Sequence, residues 1–160
     1  MAVGTHISST LTGIKTQFES NLPTMLNSIE SAASVTLTDP QTYKATLDTA
    51  GAMMLPALFV SIEGTVDHID YLSQLTVDLE IPVLVSLIHH ESDLPATQDA
   101  HSWHYAEAII RVLTKHVYTN VSGVISVDVE SSGVSAFGED RNRRIVEVRA
   151  SVLTRTDRSR

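Results

Sequence analysis

Two histidines three residues apart are the side chains in this sequence best suited to metal chemistry. His101 and His104 share one face of a predicted helix start, and Asp99, Glu91 and Asp93 lie close by in the chain. Two imidazoles and a carboxylate are ligands that a divalent metal ion accepts. However, the spacing completes neither an HExxH motif nor a facial triad, and histidines at a helix start serve more often as caps or interface residues. We therefore expect no metal, with a small metal-dependent enzyme as a distant alternative.

Acidic side chains form two groups that could carry out acid–base chemistry. Such chemistry needs a cleft that shifts the carboxyl pKa values, whereas both groups lie in predicted loops and on the polar face of a strand. The sequence also lacks a GxSxG nucleophile motif and a glycine-rich phosphate loop, and it has no cysteine for thiol catalysis, thiolate metal sites or disulfides. We expect no enzyme and no cofactor. The two groups are Asp67, Asp70, Asp78 and Glu80, and Glu139 and Asp140.

Arginines are concentrated at the end of the chain. Seven of the eleven basic residues lie between Arg141 and Arg160, where only two acidic residues give a net charge of +5. The preceding 140 residues carry a net charge of −13. Guanidinium groups pair well with carboxylates, so this segment can bind the acidic surface of a neighbouring subunit. A solvated strand face and, less favoured, a nucleic-acid clamp are the other interpretations.

Length and composition indicate a single globular domain over residues 1–160. Apolar residues make up 42% of the chain and charged residues 19%. No apolar run reaches the ~18–20 residues that span a bilayer, and the first residues do not resemble a secretory signal. The acidic body disfavours non-specific binding to nucleic acid.

The first half of the chain predicts a helix and then strands. An apolar stripe from Ile7 to Ile29 predicts a helix, which either kinks near Asn21 or gives way to a second helix beginning at Pro23. Leu55–Glu63 predicts a strand, and residues 64–70 predict a connection.

The stretch from Tyr71 to Ile88 alternates and then becomes wholly apolar, with Pro82 between the two halves. One long bent strand fits this pattern, and two strands joined near Glu80 are the alternative. Proline disfavours a central strand, so we expect Pro82 at an edge, bulge or bend. We expect residues 71–82 to project as a β-arm that places Leu75 and Val77 against a neighbouring subunit.

The second half predicts a helix ending near Asn120 and two strands, Gly123–Glu130 and Arg144–Arg155. A flexible loop over residues 131–142 joins them. The resulting order is helix, strand, strand, helix, strand, strand. The predicted fold is α+β, with a single layer of mostly antiparallel sheet and both helices packed on one face.

With these elements, the chain resembles the tail terminator (tail-completion) proteins of long-tailed bacteriophages. The similar features are the N-terminal amphipathic helix, the strand IPVLVSLIHH, the helix AEAIIRVLTKHV and the closing hairpin GVISVDVESS…RRIVEVRASVLTRT. The resemblance is one of layout and size over most of the chain. The long stretch containing Pro82 and the loop at 131–142 depart from it.

The resemblance implies a structural virion protein without catalytic activity. Such a subunit forms a hexameric ring at the head-proximal end of the tail tube, stops tube growth and joins the tail to the neck. Its partners would be itself, the tail tube protein, the neck or connector protein and, in a sheathed tail, the sheath protein. DNA would pass through the channel without specific binding, and no membrane would be involved.

The expected location is the tail and neck of the virion, with assembly in the host cytoplasm. A head–tail adaptor or neck ring protein is the close alternative. The residues that we expect at the subunit interface are Leu75, Val77, Arg143, Arg144 and Arg149.

Overall fold

The computed structural model describes residues 3–46, 53–70, 76–90, 95–138 and 142–157. Within them the chain forms two long helices and a six-stranded, mostly antiparallel sheet, which confirms the predicted α+β class. The elements, in chain order, are α1 (Val3–Ala33), β1 (Thr42–Lys44), β2 (Ala57–Ile62), β3 (Asp67–Asp70), β4 (Thr76–His90), α2 (Pro95–Val112), a π-helical turn (Leu113–Val117), α3 (Tyr118–Asn120), β5 (Val124–Ala136) and β6 (Arg143–Asp157).

Helix α1 runs as one element through Pro23, so the alternative of a second helix beginning there is wrong. Proline inside a helix costs about 3 kcal/mol because it removes one hydrogen bond and crowds the preceding turn. Large side chains on both sides of Pro23 are fully buried, including Phe18, Leu22 and Leu26, and each contributes roughly 1.5–3 kcal/mol. Burial of the continuous stripe therefore outweighs the local cost.

The sheet has the strand order β1-β2-β4-β6-β5, and β3 pairs with β4 beyond the end of β2. Strand β1 is parallel to β2, and all other neighbours are antiparallel. One outer edge of the sheet is therefore formed by β1 and β3, and the other by β5. Strands β4 and β6 pair along their full length and form the centre.

Pro82 lies in the middle of β4, where the neighbouring strand changes from β3 to β2. Its carbonyl accepts a hydrogen bond from the backbone N–H of Glu63 at 2.9 Å. The backbone N and O of one strand residue point to the same side, so the donor that proline lacks would also have pointed away from β6. The β4–β6 ladder is thus intact, and the backbone groups of Ser151, opposite Pro82, point towards β5. The predicted single long strand is confirmed.

The two faces of the sheet differ. The helix face carries the main core, in which α1 and α2 pack against alternate residues of β2, β4 and β6. The far face has a smaller apolar cluster at one end and polar side chains along β4, β5 and β6. That smaller cluster consists of Ala57, Phe59 and Ile88, packed against Met53, Leu55, Phe137 and Ile145.

Three segments differ from the prediction. Strands β1 and β3, of three and four residues, were not predicted because so short a segment shows almost no periodicity. Residues 131–136 of the predicted loop belong to β5, where pairing with β6 outweighs their Ser/Gly composition. Residues 76–82 of the predicted arm do not project, since they pair with β6 and, over 77–80, with β3. Residues 71–75 lie outside the described residues.

Candidate assembly surface

Arg149 lies on the far face of β6 and binds two carboxylates of its own chain. Its Nε and Nη2 donate to Glu63 Oε2 and Oε1 at 2.7 and 3.2 Å, and Nη2 also donates to Glu147 Oε2 at 3.1 Å. The hydrogen bond to Glu63 is the main cause that raises the pKa of the Arg149 guanidinium. The side chains of Arg149 and Glu63 are 41% and 48% exposed, so solvent screens the pair. This ion pair connects β6, across β4, to the residue that follows β2.

Arg155 makes a second two-pronged ion pair on the same face. It lies directly opposite Asp78, and its Nε and Nη2 donate to the two carboxylate oxygens at 2.7 and 3.1 Å. Asp78 is 1% exposed, whereas Arg155 is half exposed. A buried carboxylate needs such a partner, because an uncompensated buried charge is strongly destabilising.

Arg144, the second residue of β6, lies on the helix face and joins the strand to α2. Its Nε donates to Asp99 Oδ1 at 3.1 Å, and its side chain is 12% exposed. Arg143, one residue earlier, is exposed and points towards the far face. Of the three arginines expected at the subunit interface, Arg144 and Arg149 therefore have carboxylate partners within the chain. Their contact with another subunit stays a prediction.

Val77 is part of the core of the single chain. It is 3% exposed and packs on the helix face of β4. The side chain thus already has a position in the core, and its predicted contact with a neighbouring subunit is untested. Leu75 lies outside the described residues.

His89 is a buried polar residue that was not among the predicted site residues. It is 1% exposed on the helix face of β4, its Nε2 lies 2.6 Å from Ser102 Oγ, and its ring centroid lies 5.0 Å from that of Tyr105. Tyr105 in turn donates to the carbonyl of Thr38 and accepts from its N–H. The alternation of Val85, Leu87 and His89 along the strand was the signal that could have identified it.

The candidate metal ligands do not come together in the described part of the chain. His101 and His104 are half-buried on α2, and Asp99 is bound to Arg144. Among the described residues, no group of three or more histidines and carboxylates is arranged to hold a metal ion. Glu91 and Asp93 lie outside the described residues.

Two of the candidate acid–base carboxylates have hydrogen-bond partners on the far face of the sheet. Asp78 binds Arg155, and Glu80 accepts a hydrogen bond from Ser151 Oγ at 2.8 Å. Asp67 is exposed on β3. Glu139 and Asp140, the second acidic group, lie outside the described residues.

The outer strands of the sheet carry charged side chains that make no ion pair among the described residues. Lys44 lies on β1, and Asp128 and Glu130 lie on β5. Every side chain along the thirteen residues of β5 is at least partly exposed. These residues were not predicted, because the apolar pattern of the sequence does not distinguish outer strands from central ones.

Exposed apolar side chains lie on several elements. Trp103 on α2 is 51% exposed and Ile125 on β5 is 38% exposed. None of the helices in the described residues has the length and apolar content needed to cross a membrane.

The sequence matches no protein family and no curated protein. Among solved structures, the chain is similar to one from the virion of a native gene transfer agent (GTA) particle, with 12% sequence identity and a TM-score of 0.47. The match covers 86% of this chain and 93% of the other. A likeness this distant does not by itself establish a common function.

Proposed function

We propose that this chain is a structural virion protein that forms a ring by head-to-tail contacts between copies. The observation that carries the proposal is the open sheet, whose outer strands β1 and β5 bear charges of opposite sign, Lys44 and Asp128, that make no ion pair among the described residues. A subunit with two different complementary surfaces makes heterologous contacts, which close into a ring when the rotation permits.

Within that class, the resemblance of layout supports the role of tail terminator. The ring, a hexamer in this proposal, lies at the head-proximal end of the tail tube, stops its growth and binds the neck. Its partners are the tube protein, the neck or connector protein and, in a contractile tail, the sheath protein. The net charge of −8 disfavours tight binding of the DNA that crosses the channel.

Two measurements test this proposal. Light scattering after size exclusion, over a wide range of protein concentration, should give a ring mass of about six chains. Gold-labelled antibody on purified virions should mark the junction between tube and neck. Label on tailless capsids would instead favour a head–tail adaptor, and a strict monomer that is absent from virions would refute both roles.

A further inference from the structure

We propose that the ring closes by sheet continuation, in which the outer edge of β5 in one copy pairs with the outer edge of β1 in the next. This inference rests on the proposed assembly of copies and adds the contact surface. It predicts that Asp128 of one copy faces Lys44 of the next.

The backbone of β5 is suited to an additional strand. Asp128 lies opposite Ser151, whose backbone groups point towards β5, so Asp128 uses its own backbone groups to bond β6. The backbone N–H and C=O of its neighbours Val127 and Val129 therefore point outward from the sheet. The register with β6 is regular between Ser126 and Val129, so this segment is straight enough to accept a partner.

The strand directions and faces are compatible. Strand β1 runs parallel to β2, which has the same direction as β6, and β5 is antiparallel to β6. A continued sheet therefore sets β5 antiparallel to β1. Lys44 pairs with Phe59 and so lies on the far face, as Asp128 does. On the helix face, the half-buried Tyr43 would lie beside the half-buried valines of β5.

Charge selects β1 over β3 as the partner edge. Asp67 of β3 lies opposite Glu80 on the far face, so pairing with β3 would set one aspartate against Asp128. Pairing with β1 sets Lys44 there instead. Opposite charges directly across a strand pair are favourable and like charges are destabilising.

Disulfide trapping tests the contact directly, because the chain has no cysteine. Lys44 and Asp128 lie at least roughly 19 Å apart, because four strand spacings separate them, too far for a bond within one copy. Asp128 directs its backbone towards β6, so it would occupy a non-hydrogen-bonded position of the new pair. There the Cα atoms are about 4.5 Å apart and a disulfide fits.

We expect the double variant Lys44→Cys with Asp128→Cys to give, on mild oxidation, a ladder of cross-linked chains up to the closed ring. An equimolar mixture of the two single variants should give dimers only. The matched control pairs Lys44→Cys with Ser135→Cys, which lies on the same face of β5 but several residues further along. A ladder no stronger than this control would refute the contact.

Charge exchange provides an independent measurement on the assembled protein. Lys44→Asp or Asp128→Lys alone should weaken association about tenfold, and the two together should restore most of it. If wild-type chains assemble and the double variant is no better than the worse single one, the contact is wrong while the ring proposal stands. If wild-type chains do not assemble and the double-cysteine variant does not cross-link at any concentration, both proposals fail.

Discussion

Ser102 Oγ donates its proton to the carbonyl oxygen of Gln98 at 2.8 Å, so it must accept the hydrogen bond from His89 Nε2, 2.6 Å away. His89 is therefore protonated on Nε2, and it links β4 to the first half of α2. The ring has almost no access to water, which makes the charged form unfavourable in the folded chain.

Acid should weaken the fold through His89. Burial, the largest cause, lowers the pKa of His89 to about 4, helped by the nearby His101 and Arg144. In the unfolded chain the histidine pKa is ~6.5. Between pH 4 and pH 6.5 the unfolded state therefore binds a proton that the folded state does not bind. The stability is therefore complete above about pH 7 and falls by up to about 3 kcal/mol as the pH approaches 4.

Urea unfolding of the wild type at pH 7.5, 6 and 4.5 measures this loss, and His89→Gln should remove most of it. Contributions from groups that the two proteins share cancel in the comparison. His104→Gln, at a half-buried position of the same helix, is the matched control for the loss of one imidazole. Equal pH dependence in His89→Gln and wild type would contradict the assignment.

Val77→Asp should abolish the cooperative thermal transition. The side chain is 3% exposed, and a carboxylate there would be buried in an apolar cluster without a partner. We expect a loss of at least about 3 kcal/mol. Ile125→Asp, at an exposed position of β5, is the control and should cost about 1 kcal/mol or less. A folded Val77→Asp chain that fails only to assemble would support the original interface prediction.

Arg149→Glu should cost more in low salt than in high salt. The substitution removes two ion pairs and sets a third carboxylate beside Glu63 and Glu147. Exposed pairs contribute only about 0–1 kcal/mol each, and salt at 0.5 M screens the repulsion. Urea titrations of wild type, Arg149→Gln and Arg149→Glu at both salt concentrations separate the lost attraction from the added repulsion. Salt-independent differences would argue against this electrostatic cause.

The oligomer distribution tests whether Arg149 also contacts the next subunit. If its guanidinium also reaches the next subunit, Arg149→Glu should shift the oligomer distribution more than it shifts the unfolding midpoint, since the contact recurs around the ring. Identical oligomer distributions of wild type and variant at low and high salt would show that Arg149 binds carboxylates of its own chain only.

Gly123→Ala should destabilise the chain by about 1–3 kcal/mol. Gly123 has φ +84°, and a Cβ atom there would lie 2.8 Å from the carbonyl oxygen of Arg155 and 3.1 Å from the ring of His6. Gly133→Ala is the matched control, because its Cβ would meet no atom within 4 Å. Thermal unfolding of both variants decides the point, and equal midpoints would contradict the steric reason.

The long helix and the long strands could be predicted from the sequence because their apolar patterns repeat over many residues. The stripe of α1 and the alternation in β4 and β6 extend over many residues, and each residue adds to the same signal. The position of Pro82 could not be predicted, since its cost depends on which strand lies beside it. The same holds for β1 and β3, which exist because longer strands offer them backbone partners.

The candidate surface was predictable only in its residue types. The arginine cluster suggested carboxylate partners, but whether Arg149 finds them in its own chain depends on Glu63, 86 residues earlier in the sequence. Likewise, the charges of Lys44 and Asp128 became informative only when their strands were found at opposite edges of the sheet.

Trp103 makes the chain its own optical reporter. It is the single tryptophan, it is half exposed, and it directly follows Ser102 on α2. Indole emission depends on local polarity and on nearby quenching groups. Because Trp103 is the chain neighbour of Ser102, a change in the contact between His89 and Ser102 should alter its emission. Protonation of one buried imidazole could thus be followed in real time, without a label, in a stopped-flow pH jump.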